Sequence, residues 1–270
     1  MKLVGTAILN LICWSAIALV GCANSHQAES SVAQTRSDIV TDSDEPENRK
    51  RARIRLELAS GYFEQGQINV ALDELKQALL VDPNFSDSYN LRGLVYMRLN
   101  NMPLAEGSFR RALALNPQDA DAAHNYGWFL CQQLRYRESF QLFAQAIANP
   151  NYGGQAKSLM TQGICEVRDG KTAEAEKSLT RAYQLDAGNP LIAYNLSHLL
   201  YERGELVRAQ FYIRRLNNSE LANVETLWLG IKIERSLNNA ESVSQLGDQL
   251  KKRYGQSREA IAYDKGAFNE

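Results

Sequence analysis

Residues Ser86 to Pro117 read SDSYNLRGLVYMRLNNMPLAEGSFRRALALNP, and this stretch decides the fold. Gly93 and Tyr96 stand near the middle of a first segment with apolar residues at helical spacing, and Asn100-Asn101 interrupts it. Ala105, Phe109 and Ala112 mark a second such segment, which Pro117 closes. The pattern predicts a helical hairpin. A small residue lets two helices touch, an aromatic ring fills the gap beside it, and a proline ends the unit. One hairpin cannot bury its apolar face alone, so the unit needs neighbours of its own kind.

Those neighbours are present. With Gly93 as reference, Ala59, Gly127, Gly163, Ser197 and Gly230 stand in the same place, at successive spacings of 34, 34, 36, 34 and 33 residues, and all are small. Twelve residues later come Ala71, Ala105, Ser139, Ala175, Ala209 and Ser242, again all small. Four further on are Leu75, Phe109, Phe143, Leu179, Ile213 and Leu246, all large and apolar. Three later still are Ala78, Ala112, Ala146 and Ala182, with Leu216 and Gln249 breaking the column. The period and the columns resemble the tetratricopeptide repeat. The expected fold is all-α, a right-handed superhelical solenoid of about six hairpins over residues 51–256, its concave surface lined by the first helix of each pair.

The ends carry different information. After Met1-Lys2, a run without charge leads to Leu19-Val20-Gly21-Cys22, which resembles the bacterial lipobox. Residues 1–21 are then expected to be a cleaved signal peptide and Cys22 the lipidated first residue of the mature chain; the other reading is an uncleaved anchor helix. Several acyl chains together hold a protein to a membrane stably. Ala23, where inner-membrane lipoproteins usually resemble one another in having Asp, implies the periplasmic face of the outer membrane. Residues 22–50 are rich in Ser, Gln, Thr and acids, with no Leu, Phe, Tyr or Trp after Cys22, and are expected to form a flexible tether with a reach of roughly 30 Å. The basic run Arg49, Lys50, Arg51, Arg53, Arg55 reads as a solvated helical turn or as an attraction for anionic headgroups or wall polymer. Residues 257–270 are expected to cap the last repeat, with Ala260, Ile261, Tyr263 and Phe268 covering its apolar edge.

The inward positions of the first helices carry Phe63, Leu94, Met97, His124, Trp128, Met160, Ile164, Val167, Tyr194, His198 and Tyr201, among Arg98, Arg168 and Glu202. Each alone can be read as core packing. Together they predict an apolar, aromatic groove for a protein ligand, with Phe63, Leu94, Met97, Trp128, Met160 and Tyr201 as the partner-binding residues. The Lys and Asn clamp by which some tetratricopeptide domains grip an acidic chaperone tail is replaced here by Leu56, Asn90 and Leu94.

Catalysis finds little support, because His26, His124 and His198 have no carboxylate or cysteine at triad or ligand spacing. No catalytic residue, metal site or cofactor is expected. A net charge of -1 argues against nucleic acid as a partner. Of four cysteines, Cys13 leaves with the signal and Cys22 takes lipid, so Cys131 and Cys165 remain. They lie late in adjacent first helices, where a disulfide is within reach and two buried thiols are the alternative.

The lipobox, polar tether, six repeats and central cysteine pair together resemble the type IV pilus biogenesis and stability proteins, the PilF/PilW pilotins of Gram-negative bacteria. The run DAAHNYGWFLCQQLRYRESFQLFAQAIANPNYGGQA, Asp121 to Ala156, is similar to the third repeat of that family. The resemblance implies a non-enzymatic lipoprotein that helps the secretin subunit of the pilus reach the outer membrane and multimerise. If the groove holds a secretin segment, Phe63, Leu94 and Met97, in the two repeats nearest the tether, are expected to make the first contacts. The other reading is an outer-membrane lipoprotein scaffold that recruits cell-wall enzymes or other envelope assembly factors.

Overall fold

In a computed structural model, residues 44–268 are described, and they form thirteen helices. Six antiparallel pairs follow one another: α1 (Glu47–Glu64) with α2 (Ile68–Val81), α3 (Ser86–Arg98) with α4 (Met102–Leu115), and α5 (Ala120–Gln132) with α6 (Tyr136–Ala148). Then come α7 (Gln155–Arg168) with α8 (Thr172–Leu185), α9 (Pro190–Glu202) with α10 (Leu206–Asn217), and α11 (Val224–Ser236) with α12 (Ala240–Tyr254). A short α13 (Arg258–Asp264) ends the array. Helix α1 begins at Glu47, four residues inside the segment expected to be tether, with Pro46 before its first turn. The cause is electrostatic as much as apolar: Arg49 pairs with Asp82, Lys50 with Glu47, and Arg55 with Glu74, so the basic run is fixed on the first hairpin. The signal segment and Cys22 lie outside the described residues.

The small columns are where paired helices meet. A β-carbon on Gly163 would stand 2.7 Å from Cγ of Leu179, so only a residue without one lets the two helices close. In two repeats a buried serine ties the crossing: Ser139 Oγ donates to the Gly127 carbonyl at 2.7 Å, and Ser197 Oγ to the Ala209 carbonyl at 2.9 Å. The large column fills the remaining space, with Leu75, Phe109, Phe143, Leu179 and Ile213 essentially inaccessible. Burying each such side chain stabilises by about 1.5–3 kcal/mol, which is the main term holding each hairpin together.

Every hairpin turns through one residue with left-handed backbone, seven or eight places after the small residue of the first helix. These are Gly66, Asn100, Leu134, Gly170, Gly204 and Asn238, with φ between 56 and 75°. Glycine and asparagine tolerate this conformation; Leu134 does so against its preference.

Successive first helices pack on one another, α1 on α3, α3 on α5, α5 on α7, α7 on α9 and α9 on α11, whereas successive second helices are not among the closely packed pairs. The first helices therefore form the inner side of the stack. Where the spacing stretches to 36, the loop between α6 and α7 places Tyr152 against Ala120, Ala123 and Ala146. At the far end Phe268 stacks on Trp228 with ring centroids 5.7 Å apart, and Ala260 and Ala262 are buried. Ile261, expected to share this role, is 46 % exposed.

Candidate protein-binding groove

On the inner side the six expected partner-binding residues are all half-buried. Phe63 packs on Ala59, Ala71, Leu75 and Val95; Leu94 and Met97 pack on the cluster of Phe109, Tyr126 and Phe129. Trp128 joins the cysteines and Phe143, while Met160 and Tyr201 both meet the cluster built on Leu179, Leu196 and Ile213. Each thus gives one side to the core and keeps the other accessible. They do not gather into one depression: they divide among four clusters, with Phe63 alone in the first, Leu94 and Met97 together, Trp128 beside the cysteines, and Met160 with Tyr201.

The inner side does form a cleft of about 400 Å³ between α7 and α9, floored by α8. Ile164, Val167 and Arg168 come from α7, His198, Leu199 and Glu202 from α9, and Leu179 from the large column below. The lining is mostly apolar, and Val167 is 42 % exposed. Arg168 sits with its guanidinium 5.1 Å from the centre of the Trp128 ring, so Trp128 extends the cleft toward the third repeat. Sequence spacing identified Ile164, Val167, His198, Arg168 and Glu202 as inward positions; it did not single out Asn195 and Leu199, one turn apart on α9, nor Thr172, the first residue of α8, and Arg203, the C-terminal cap of α9.

Behind Trp128, the sulfurs of Cys131 and Cys165 meet at 2.07 Å with their Cα atoms 6.0 Å apart, and both residues are inaccessible. This pair joins α5 to α7. At the other end of the same two helices, His124 Nδ1 lies 2.8 Å from Ser158 Oγ, which donates to Tyr152 at 3.3 Å. Burial, and then the charge of Lys157, lowers the His124 pKa to about 4, so the ring is neutral near pH 7 and serves as a hydrogen-bonding core residue. His198, on the cleft wall, meets Tyr194 with ring centroids 6.0 Å apart. An inner surface that is apolar, aromatic and built on paired rigid helices suits the binding of a polypeptide segment.

A stack of such hairpins with this register defines a tetratricopeptide-repeat protein. Tetratricopeptide repeat models match residues 56–120, 92–156 and 166–225. The type IV pilus assembly protein PilF of Pseudomonas aeruginosa is 28% identical over 204 residues, 76% of this chain and 81% of that protein. Its solved structure superimposes with a TM-score of 0.71 at 26% identity, covering 81% of this chain and 99% of that one. The crystal structure of PilW, a widely conserved type IV pilus biogenesis factor, gives a TM-score of 0.71 at 30% identity, covering 78% of this chain and 97% of that one. This chain belongs to the family of PilF and PilW, the tetratricopeptide-repeat proteins of type IV pilus biogenesis.

Proposed function

We propose that this protein is a pilotin: a lipid-anchored, non-enzymatic partner of the pilus secretin that brings the subunit to the outer membrane and promotes its multimerisation. The observation that carries the reading is the apolar cleft on the inner side of a chain related to PilF and PilW. Cys22 is the proposed lipidation site, residues 1–21 the signal removed before it, and the stretch after it the tether that keeps the repeats at the periplasmic face. Tethering raises the effective concentration of a bound subunit at the membrane, so a modest groove affinity suffices. The pairing of Cys131 with Cys165 as a disulfide belongs to the same proposal, since the bond persists in an oxidising periplasm.

The test is co-purification of the secretin subunit with charged variants. Val167→Glu with His198→Glu, both exposed, is expected to reduce recovery while helix content and melting temperature stay unchanged. Phe63→Glu with Met97→Glu examines the first two repeats in the same way. Full recovery with both pairs would remove the groove from the account.

A further inference from the structure

The second helices form the outer side of the stack, and their outward positions stand 10, 14, 17 and 18 residues after the small residue of each repeat. In α2 these positions include Asp73, and in α12 Asp248. In the four helices between, α4, α6, α8 and α10, they hold Arg110, Arg111, Arg137, Lys177, Arg181 and Arg215, all exposed, and no Asp or Glu. Arg214 also falls there, held by Glu234. A chain with a net charge of -1 thus gathers cations along one outer ridge.

The ridge is not neutralised from within the fold. Arg111 donates to the Asn84 side chain at 3.1 Å and Arg215 to the Tyr183 hydroxyl at 3.2 Å, but none of the six cations forms an ion pair among the described residues. The arginines of the hairpin turns behave differently: Arg135 holds Glu106 and Glu138, and Arg203 and Arg208 hold Glu176. Those carboxylates beside the ridge are already taken, and Glu174 alone adds an unpaired one at its edge, so a positive field projects outward.

The same ridge carries Val207 and Phe211, one turn apart on α10, 70% and 64% exposed. The places equivalent to Phe211 in the other repeats hold Asp73, Gly107, Gln141, Lys177 and Ser244, so the hairpin itself needs no apolar residue there. The Phe211 ring meets Tyr212 edge-on with centroids 5.1 Å apart, and Tyr212 meets Tyr183 of α8. Its base is therefore fixed while its outer edge stands in water. Arg215 follows one turn later on α10, and Lys177 and Arg181 occupy the corresponding places on α8.

Apolar tips set among unpaired Lys and Arg suit the boundary between anionic headgroups and acyl chains. Long basic side chains spread over four helices can meet phosphates that move laterally, whereas an acidic protein would have to offer a fixed matching pattern. We propose that the outer ridge of α4, α6, α8 and α10 docks on an anionic phospholipid surface. Lys177, Arg181 and Arg215 lie on phosphates, and Val207 and Phe211 enter the upper acyl region. Contact there leaves the cleft between α7 and α9, on the inner side, open to its own ligand. The inference depends neither on the secretin nor on a lipid at Cys22.

The test adds the whole chain to vesicles of phosphatidylcholine alone or mixed with phosphatidylglycerol, so that any N-terminal anchoring is common to both. Acylation of Lys177 and hydroxyl-radical oxidation of Phe211 are followed by peptide mass, with Lys157 of the first helix α7 as reference. Both reactions are expected to slow on the anionic vesicles only, and high salt should restore the acylation of Lys177. Arg137→Glu with Arg181→Glu, both exposed, should weaken the effect more than about tenfold while the melting temperature stays unchanged. Equal rates on the two vesicles at either residue, or slowing that survives the double substitution, overturns the proposal. So does slowing by polyglutamate and none by vesicles, which would assign the ridge to an acidic polypeptide.

Discussion

The ring of Phe109 occupies the space where a side chain on Gly93 would begin: a β-carbon there would stand 2.5 Å from Cε1. Phe109 is wholly buried, so the ring has nowhere to retreat. Gly93→Ala is therefore expected to destabilise by about 1–3 kcal/mol through overpacking, seen as a lower midpoint in urea unfolding. Gly107, on the exposed face of α4 with nothing within 4 Å, is the control. Gly107→Ala should be neutral or stabilising by up to about 1 kcal/mol, as a helix-interior glycine relieved of its entropy cost. Equal losses at both positions would contradict the packing argument.

Leu134 holds a left-handed φ of 60° in the turn between α5 and α6, where the other hairpins use glycine or asparagine. Its side chain is 71% exposed, so nothing is lost from the core on replacement. Leu134→Gly is expected to raise stability by ~0.5–1 kcal/mol, the left-handed penalty of ~1–2 kcal/mol less the larger unfolded entropy of glycine. A melting temperature that falls would count against it.

Cys131 and Cys165 enclose a sequence separation of 34 residues. Alkylation of the denatured protein without reductant is expected to leave both unmodified by mass, and reduction to expose both. The double Cys→Ala variant should lose about 3–4 kcal/mol if loop closure in the unfolded chain dominates. Full labelling without reductant would show two thiols instead.

His124 ties stability to pH. Its folded pKa, about 4, lies below the ordinary histidine value of 6.5, so below pH 6.5 the unfolded chain binds the proton more readily than the folded one. The contribution is intact above about pH 6.5 and is lost progressively as pH falls toward 4, amounting to about 3 kcal/mol at its limit. His124→Gln should remove this slope from urea midpoints measured across that window. An unchanged slope would place the titration elsewhere.

Much of this was legible in the sequence, and the reason is physical. Columns such as Gly93, Ala105 and Phe109 are set by contacts within one hairpin, so they recur with the period and are read directly. The inward positions of Ile164, Val167 and His198 followed from the same register. Contacts between hairpins, the approach of Cys131 to Cys165 apart, were not legible. The separation of Phe63 from Leu94 and Met97, which share a cluster, depends on how far neighbouring first helices approach. The stacking of Arg168 on Trp128 joins side chains of different repeats that share no column. The start of α1 at Glu47 rests on Arg49 reaching Asp82, the residue just past the second helix, a pairing that composition conceals.

The central claim is best tested by the abundance and membrane fraction of heat-resistant secretin multimers in cells lacking this protein. The account predicts that multimers are lost or appear in the inner membrane, that the wild-type gene restores them, and that Cys22→Ala does not place them correctly. Multimers unchanged in amount and location would contradict it and leave the scaffold reading in its place.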